Sequence, residues 1–175
     1  MWMLAGMLAM MTSLAVPAVT TVIAQPAASA DEIVALITQP IDLEPSPRDA
    51  AAMLADLNRM RAARGLPPLR NDARLDQIAR SRALDMLDRR YFGHVSPDGK
   101  TPYQSMNAAG VRFDWAGENL ALDASEAAAF YALTRSLGHR ENMLESHYAR
   151  VGIAAVRTAN AGEIFVQEFV GPADR

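Results

Sequence analysis

The chain has 175 residues, of which 50% are hydrophobic and 21% are charged, and this composition suits one globular domain with a sizeable core. The net charge is -3 and the sequence has no run of lysine and arginine, so nucleic-acid binding is disfavoured. The chain has no cysteine, which excludes a disulfide framework, a thiolate metal site and a cysteine nucleophile.

The first 30 residues have the features of an export signal. Residues 1–24 carry no charged side chain, and Ala28-Ser29-Ala30 has the small-x-small form of a signal-peptidase site. The basic start of a typical signal is missing, and the apolar run is long enough to span a membrane. We expect residues 1–30 to be the signal peptide of a secreted or periplasmic protein, with a retained membrane anchor as the alternative.

The rest of the chain divides into a linker, one domain and a short tail. Residues 31–47 contain three prolines and no sustained helical period, which indicates a linker. The domain is expected over residues 48–171, and residues 172–175 form the tail. Contact with a membrane is expected only through an uncleaved amino-terminal segment.

The first half of the domain has the pattern of two amphipathic helices. A helix capped by Ser46 or Asp49 is predicted to end at Gly65. A second helix is predicted to begin at Asn71 or Asp72. In both helices apolar residues recur at three- and four-residue spacing, which indicates one face packed on a core. The arginines of the second helix are interpreted as a solvated face.

A short helix and a strand are predicted in the middle of the domain. Residues 102–109 have the pattern of about two helical turns that stop at Gly110. Residues 111–115 alternate apolar and polar side chains, which is the period of a short strand or extended segment. This segment is expected to deliver Glu118 at its end.

The carboxyl-terminal third is predicted to be a helix followed by a hairpin. Asp123 and Glu126 resemble a capping box, and the helix that they start is expected to continue through Leu137. Residues 151–156 and 164–170 are rich in β-branched and aromatic residues and are predicted to form an antiparallel hairpin. Helices before strands, without regular βαβ alternation, indicate an α+β fold.

Three separated motifs each place one titratable side chain beside a glycine, and these side chains are His94, Glu118 and His139. Two neutral imidazoles and one carboxylate form a three-ligand set for a divalent cation such as zinc, with an open position for water. The alternative interpretation is structural: the imidazoles are polar residues held by hydrogen bonds, and Glu118 joins two loops. Asn119 is interpreted as an amide that locks a turn, and His147 is expected to face solvent.

The same motifs resemble the CAP superfamily, or SCP domain, which groups cysteine-rich secretory proteins, antigen 5 and plant pathogenesis-related proteins. The resemblance is closest to its cysteine-free secreted bacterial branch and covers roughly residues 50–171. The motifs that carry it are Leu57-Asn58, Arg64-Gly65-Leu66-Pro67-Pro68-Leu69, His94 with Ser96-Pro97-Asp98-Gly99, Gly117-Glu118-Asn119-Leu120, Ser136-x-Gly138-His139-Arg140-x-Asn142-x-Leu144, Val151-Gly152-Ile153 and Gln167-Glu168-Phe169.

The resemblance implies a three-layer α-β-α sandwich with a central antiparallel sheet and a surface cavity. His94, Glu118 and His139 match cavity positions of the family, and Asn119 and Ser136 belong to the motifs around that cavity. Ser136 stands where many eukaryotic members have a second glutamate, and Leu133 stands where a tryptophan is common. The resemblance therefore leaves the fourth cavity ligand open.

The leading hypothesis is a secreted, non-catalytic binding module whose ligand is a metal ion, a small apolar molecule such as a lipid, or a component of the cell envelope. The first alternative is a metal-assisted hydrolase, either a peptidase or an esterase, that uses His94, Glu118 and His139 around a bound water. A hydrolase with Ser96 or Ser136 as nucleophile lacks the Gly-x-Ser-x-Gly turn. The second alternative is a purely structural or interaction module.

Overall fold

The structure is a computed structural model that describes residues 45–158 and 161–172. The expected signal peptide and nearly all of the expected linker lie outside these residues. The elements, in chain order, are α1 (Pro47–Ala62), β1 (Arg70–Asn71), α2 (Ala73–Asp88), α3 (Pro102–Ala108), β2 (Ala116–Asp123), α4 (Glu126–Arg135), α5 (Leu137–Leu144), β3 (Arg150–Arg157) and β4 (Glu163–Val170).

The four strands of the described residues form one sheet in the order β1-β3-β4-β2. The predicted hairpin is confirmed, because β3 and β4 pair antiparallel along their whole length. β2 also pairs antiparallel with β4, whereas the two residues of β1 run parallel to β3. β2 is therefore an edge strand, and segments from both sides of the sheet can meet beside it.

Helices cover both faces of the sheet, which confirms the α+β class and the three-layer α-β-α sandwich. Side chains alternate along β3 and β4, so odd-numbered residues face one helical layer and even-numbered residues face the other. Helices α1, α4 and α5 pack on the first face, with a core of Met53, Leu57, Ala129, Leu133, Met143, Val151, Ile153, Ala155, Phe165 and Phe169. Helix α2 packs on the second face, with a core of Ala79, Ala83, Met86, Leu120, Ala154, Val156, Ile164 and Val166.

Gly152 allows α2 to lie directly on the sheet. A Cβ atom at this position would lie 2.1 Å from the carbonyl carbon of Leu75 and 2.3 Å from the backbone nitrogen of Asp76. No side chain fits in that space. The absence of a side chain at Gly152 therefore sets the distance between α2 and β3, and α2 carries part of the site described below.

Both predicted helices of the first half are confirmed, and the second is capped as expected. The side chain of Asp72 accepts a hydrogen bond from the backbone nitrogen of Arg74 at 2.9 Å, which satisfies a free amide of the first turn. None of the helices within residues 45–158 and 161–172 is long and apolar enough to cross a bilayer.

The strand predicted around residues 111–115 is misplaced. The strand β2 begins at Ala116, so Glu118 is its third residue and not the residue after its end. Val111 is buried against α2 and α3, whereas Trp115 is exposed. The alternation that predicted a strand or extended segment comes from a loop in which Val111 is buried and Phe113 packs partly buried on the same cluster, since a short period-two pattern does not require a pairing partner.

The helix predicted from the Asp123–Glu126 box starts later and ends earlier than expected. Asp123 is the last residue of β2, and Ser125 caps α4 by accepting a bond from the backbone nitrogen of Ala128. The helix stops at Ser136, whose backbone is extended, and Leu137 is exposed at the start of α5. The break turns α5 away from α4 and lays it beside β2.

Candidate functional site

The candidate site lies along the edge strand β2, where Glu118 and Asn119 point to opposite faces of the sheet. Gly117 precedes them because the strand passes very close to Tyr148. A Cβ atom at position 117 would lie 2.3 Å from the hydroxyl oxygen of Tyr148 and 3.1 Å from Oδ1 of Asn142. In the Gly-Glu-Asn motif, Gly117 thus lets the strand pass close to Tyr148. Glu118 then faces one helical layer and Asn119 faces the other.

Glu118 is buried and accepts three hydrogen bonds from its neighbours. Arg82 donates from Nε to Oε2 at 2.8 Å and from Nη2 to Oε1 at 3.0 Å, and His94 contacts Oε1 through Nδ1 at 2.8 Å. Arg82 Nη2 also donates to the carbonyl oxygens of Gly93 and His94, at 3.1 and 3.0 Å. A single arginine therefore fixes both the carboxylate and the loop that carries His94.

Arg82 corrects the interpretation of the α2 arginines as a solvated face, because it is 4% exposed. Its position carries a signal that the sequence analysis missed. Arg82 is four residues after Ile78 and four before Met86, so it lies on the buried face of α2. A charged residue at an apolar position needs a buried partner, and Glu118 is that partner.

The charges around Glu118 hold it in the ionised state. Burial raises the pKa of the Glu118 carboxyl, but the hydrogen bonds from His94 and Arg82 and the charge of Arg82 outweigh burial, so the pKa is lowered overall. Burial likewise lowers the pKa of Arg82, and the hydrogen bond and charge of Glu118 raise it overall. The pair is a buried salt bridge with little solvent access.

Glu168 is a second buried carboxyl group that the sequence analysis did not single out as a site residue. It lies directly across from Glu118 on β4 and is fully buried. No donor among the described residues reaches either of its carboxyl oxygens. Burial and the neighbouring charge of Glu118 raise the pKa of Glu168 well above its usual value of 4.5. The pKa values of the two facing acids therefore shift in opposite directions, lowered at Glu118 and raised at Glu168.

A network of amide side chains on the other face of the sheet positions His139. Asn119 donates from Nδ2 to the carbonyl oxygen of His139 at 3.1 Å and to Oε1 of Gln167 at 3.0 Å. Asn142 donates to Oδ1 of Asn119 at 3.0 Å and to the carbonyl oxygen of Glu118 at 3.3 Å. Asn119 is buried within a strand and joins β2 to α5, so its interpretation as a turn-locking amide is wrong.

Helix α5 is also held at its carboxyl end. Arg61 is fully buried and donates from Nη1 to the carbonyl oxygens of Met143 and Glu145, at 3.0 and 2.9 Å. These bonds satisfy carbonyl groups that the end of a helix leaves without partners. Helix α5 is thus fixed by Asn119 near His139 and by Arg61 at its carboxyl end, and both of these side chains are buried.

His94 is carried by the loop after α2 and His139 lies in α5, close enough to His94 for their charges to interact. The side chain of His94 is 54% exposed, while His139 is half-buried. Burial lowers the pKa of His139, and the nearby His94 lowers it further. His139 therefore favours its neutral form, which is the form that binds a metal ion or accepts a hydrogen bond.

The remaining predicted residues have other environments. Ser136 is half-buried in the extended link between α4 and α5, where its hydroxyl caps neither helix. Ser96 is buried and donates to Oδ1 of Asp98 at 2.5 Å, so its hydroxyl belongs to a turn. His147, expected to face solvent, is about half exposed and stacks on Trp115 with a ring separation of 3.9 Å.

The protein groups present were tested for their fit to a metal ion. Within residues 45–158 and 161–172, no three or more histidine, aspartate or glutamate side chains are grouped as a metal site requires. The oxygens of Glu118 already accept bonds from Arg82 and His94. The predicted three-ligand set of His94, Glu118 and His139 is therefore not formed as a metal site among these residues, and Glu118 orients His94 through its Oε1 atom.

These features define an α-β-α sandwich whose edge strand carries a buried carboxylate bonded to His94 and an amide bonded to the backbone of His139. Residues 54–169 match CAP, the Cysteine-rich secretory protein family, and the chain belongs to this family. It is 35% identical over 115 residues to protein YkwD of Bacillus subtilis, a match that covers 65% of this chain and 44% of YkwD. The chain therefore spans less than half the length of that relative.

Solved structures show the same fold. An outer surface protein of Borrelia burgdorferi has a TM-score of 0.70 at 21% identity, covering 75% of this chain and all of that one. An extracellular protein with an SCP domain from Bacillus anthracis has a TM-score of 0.64 at 25% identity, covering 77% of this chain and 45% of that one. The resemblance to the cysteine-free bacterial members of the family is confirmed.

Proposed function

We propose that the chain is an exported, non-catalytic binding module whose ligand contacts the imidazoles of His94 and His139. The observation that carries the proposal is the environment of Glu118, whose carboxylate is occupied by Arg82 and His94. A carboxylate in that position orients a histidine and does not contact the ligand itself. The ligand class is a divalent cation such as zinc, alone or as part of a component of the cell envelope.

The geometry gives His94 a defined tautomer. Because ionised Glu118 only accepts hydrogen bonds, the Nδ1 atom of His94 carries the proton of this bond, and a neutral His94 ring has its free lone pair on Nε2. His139 contributes a second neutral imidazole, and its backbone is held by Asn119. Two fixed imidazoles bind a cation with water in the remaining coordination positions.

The same contacts argue against the metal-assisted hydrolase. A general base must have a free oxygen to take a proton from water, whereas both oxygens of Glu118 accept bonds from protein groups. The Ser96 hydroxyl is bonded within its own turn and is buried. Binding is therefore better supported than catalysis.

Export is part of the proposal. Residues 1–30 have the composition of a signal peptide, and the similar structures are described as an outer surface protein and an extracellular protein. A module outside the cytoplasm would meet metal ions, lipids and envelope polymers as ligands. The lipid alternative is tested by the same variants as the metal.

The test measures thermal unfolding of the purified protein with and without zinc from pH 6 to pH 8. Zinc at about 100 times its Kd stabilises the folded state by about 2.7 kcal/mol, which raises the Tm by about 5–10 °C. His94→Ala and His139→Ala should each remove most of this shift. His147→Ala is the matched control and should keep it, because His147 stacks on Trp115 outside the site.

Two results contradict the metal proposal. One is an unchanged Tm of the wild-type protein with zinc across the pH range. The other is an equal loss of the zinc effect in all three histidine variants, which would indicate binding by surface histidines in general. Mass spectrometry of molecules that co-purify with wild type but not with His94→Ala then tests for a lipid.

A further inference from the structure

A cleft of about 570 Å³ lies between α2 and the segment that follows the His94 loop. One wall is the face of α2 that carries Arg74, Ile78 and Ser81, at successive helical turns. Lys100 and Ser105 belong to the other wall. The cleft does not involve either imidazole of the proposed site, so it is a separate feature of the surface.

The cleft has an excess of positive charge in a protein whose net charge is -3. Four cationic side chains line it against two carboxylates, those of Asp85 and Asp98. Arg89 pairs with both of these acids, and Arg82 pairs with Glu118. The other two cations, Arg74 and Lys100, are exposed and have no carboxylate partner among the described residues.

Arg74 also lines a second recess of about 700 Å³, together with Arg112 and Arg150. Arg150 is paired with Asp72, whereas Arg112 has no acidic partner within the part of the chain that the structure describes. Because Arg74 belongs to both recesses, the unpaired cations Lys100, Arg74 and Arg112 form a continuous basic track.

We propose that this basic track binds a linear polymer that carries phosphate groups. Lysine binds phosphate as a point charge and arginine binds it with a planar fork of donors, so a row of both suits successive phosphates. Ser81 and Ser105 add hydroxyl donors along the first recess. The three cations of the track, Lys100, Arg74 and Arg112, have no recorded contact with His94 or His139, although Arg82 lines the first recess and also donates to the carbonyl oxygen of His94.

The side chains that line the track favour a phosphate polymer without bases over single-stranded nucleic acid and over a lipid bilayer. Neither recess has an aromatic side chain, and single-stranded nucleic acid depends on aromatic rings for stacking of its bases. The cations lie in recesses and not on a convex surface, so a flat bilayer cannot contact all of them at once. A flexible chain of phosphate groups without bases reaches every cation.

The experiment measures binding of fluorescently labelled short-chain inorganic polyphosphate to the full chain, at low and at physiological salt. Arg74→Gln/Lys100→Gln should bind about tenfold more weakly than wild type at low salt, because two charge contacts are removed. It should also show a weaker dependence on salt, since fewer counterions are released.

Arg64→Gln/Arg135→Gln is the matched control, since it removes the same charge from exposed positions outside the track. It should bind polyphosphate like wild type, and circular dichroism should show that both double variants are folded. Equal weakening in the two double variants, or no weakening in Arg74→Gln/Lys100→Gln, overturns the proposal. Tighter binding of a single-stranded oligonucleotide or of anionic vesicles than of polyphosphate also overturns it.

Discussion

The buried carboxyl of Glu168 makes the stability of the fold depend on pH in a direction opposite to that of an ordinary surface acid. The pKa of Glu168 is raised well above 4.5 in the folded protein and returns to its ordinary value when the chain unfolds. Its contribution is fully present below pH 4.5 and is lost as pH rises through the pKa of folded Glu168. Glu168→Gln replaces the protonated acid with an amide of the same shape that has no charge to bury.

The magnitude follows from proton linkage. For each pH unit between 4.5 and the pKa of folded Glu168, wild type should lose about 1.4 kcal/mol relative to Glu168→Gln. For a chain of this length the variant should gain about 2–4 °C in Tm per kcal/mol. The difference should level off at the pKa of folded Glu168, so the measurement also yields that pKa.

The assay is urea unfolding of wild type and Glu168→Gln at pH 5, 6, 7 and 8. The difference between the two free energies of unfolding reports on Glu168 and on Glu118, which is coupled to it, because the other titrating groups contribute to both proteins. Glu163→Gln is the control on the same strand: it loses the ion pair with Arg157, so it should be less stable than wild type throughout. A difference for Glu168→Gln that stays constant from pH 5 to 8 would refute the protonated carboxyl.

Two further substitutions test the packing around the site. Gly152→Ala should cost about 3 kcal/mol in urea unfolding, because the new methyl group overlaps the backbone of α2. Gly138→Ala, where a Cβ meets no atom within 4 Å, should be neutral or stabilising, and equal costs would contradict this account. Arg82→Met should cost about 3–5 kcal/mol because it leaves Glu118 buried without its charge partner, and Glu118→Gln in the same chain should restore part of that loss. A cost near zero for Arg82→Met would show that Arg82 is not paired in solution.

The helices and the hairpin could be predicted from the sequence because each depends on a local pattern. The cap at Asp72, the apolar period of α2 and the β-branched residues of β3 and β4 act over a few neighbouring residues. The errors fall where local patterns compete with contacts between distant residues. Residues 111–115 alternate like a strand, but β4 pairs with β2 from Ala116 onwards.

The site was only partly predictable for the same reason. His94, Glu118 and His139 stand out because each is a titratable residue beside a glycine at a break between elements. Arg82 and Glu168 lie inside regular elements, and their roles depend on pairing across 36 positions and on the register of β2 with β4. Register cannot be read from one strand alone.

The basic track could not be predicted from the sequence because its charged residues are far apart along the chain. Lys100, Arg74 and Arg112 each stand apart from other lysines and arginines that would mark a cluster, and only the packing of α2 against the following segment gathers them. The prediction that nucleic acid is not a partner therefore stays a prediction, which the oligonucleotide comparison tests.

Glu118 lies within a paired strand, so its position is fixed by the sheet, whereas the loop that carries His94 is not part of the sheet. The pairing of β2 with β4 sets the position of the carboxylate, whereas His94 is carried by a loop whose backbone accepts a hydrogen bond from Arg82. Insertions or substitutions in that loop that keep His94 and the backbone contacts with Arg82 can change the rim of the site without moving the strand that carries Glu118. Such a division lets one scaffold be adapted to many ligands while its interior stays the same.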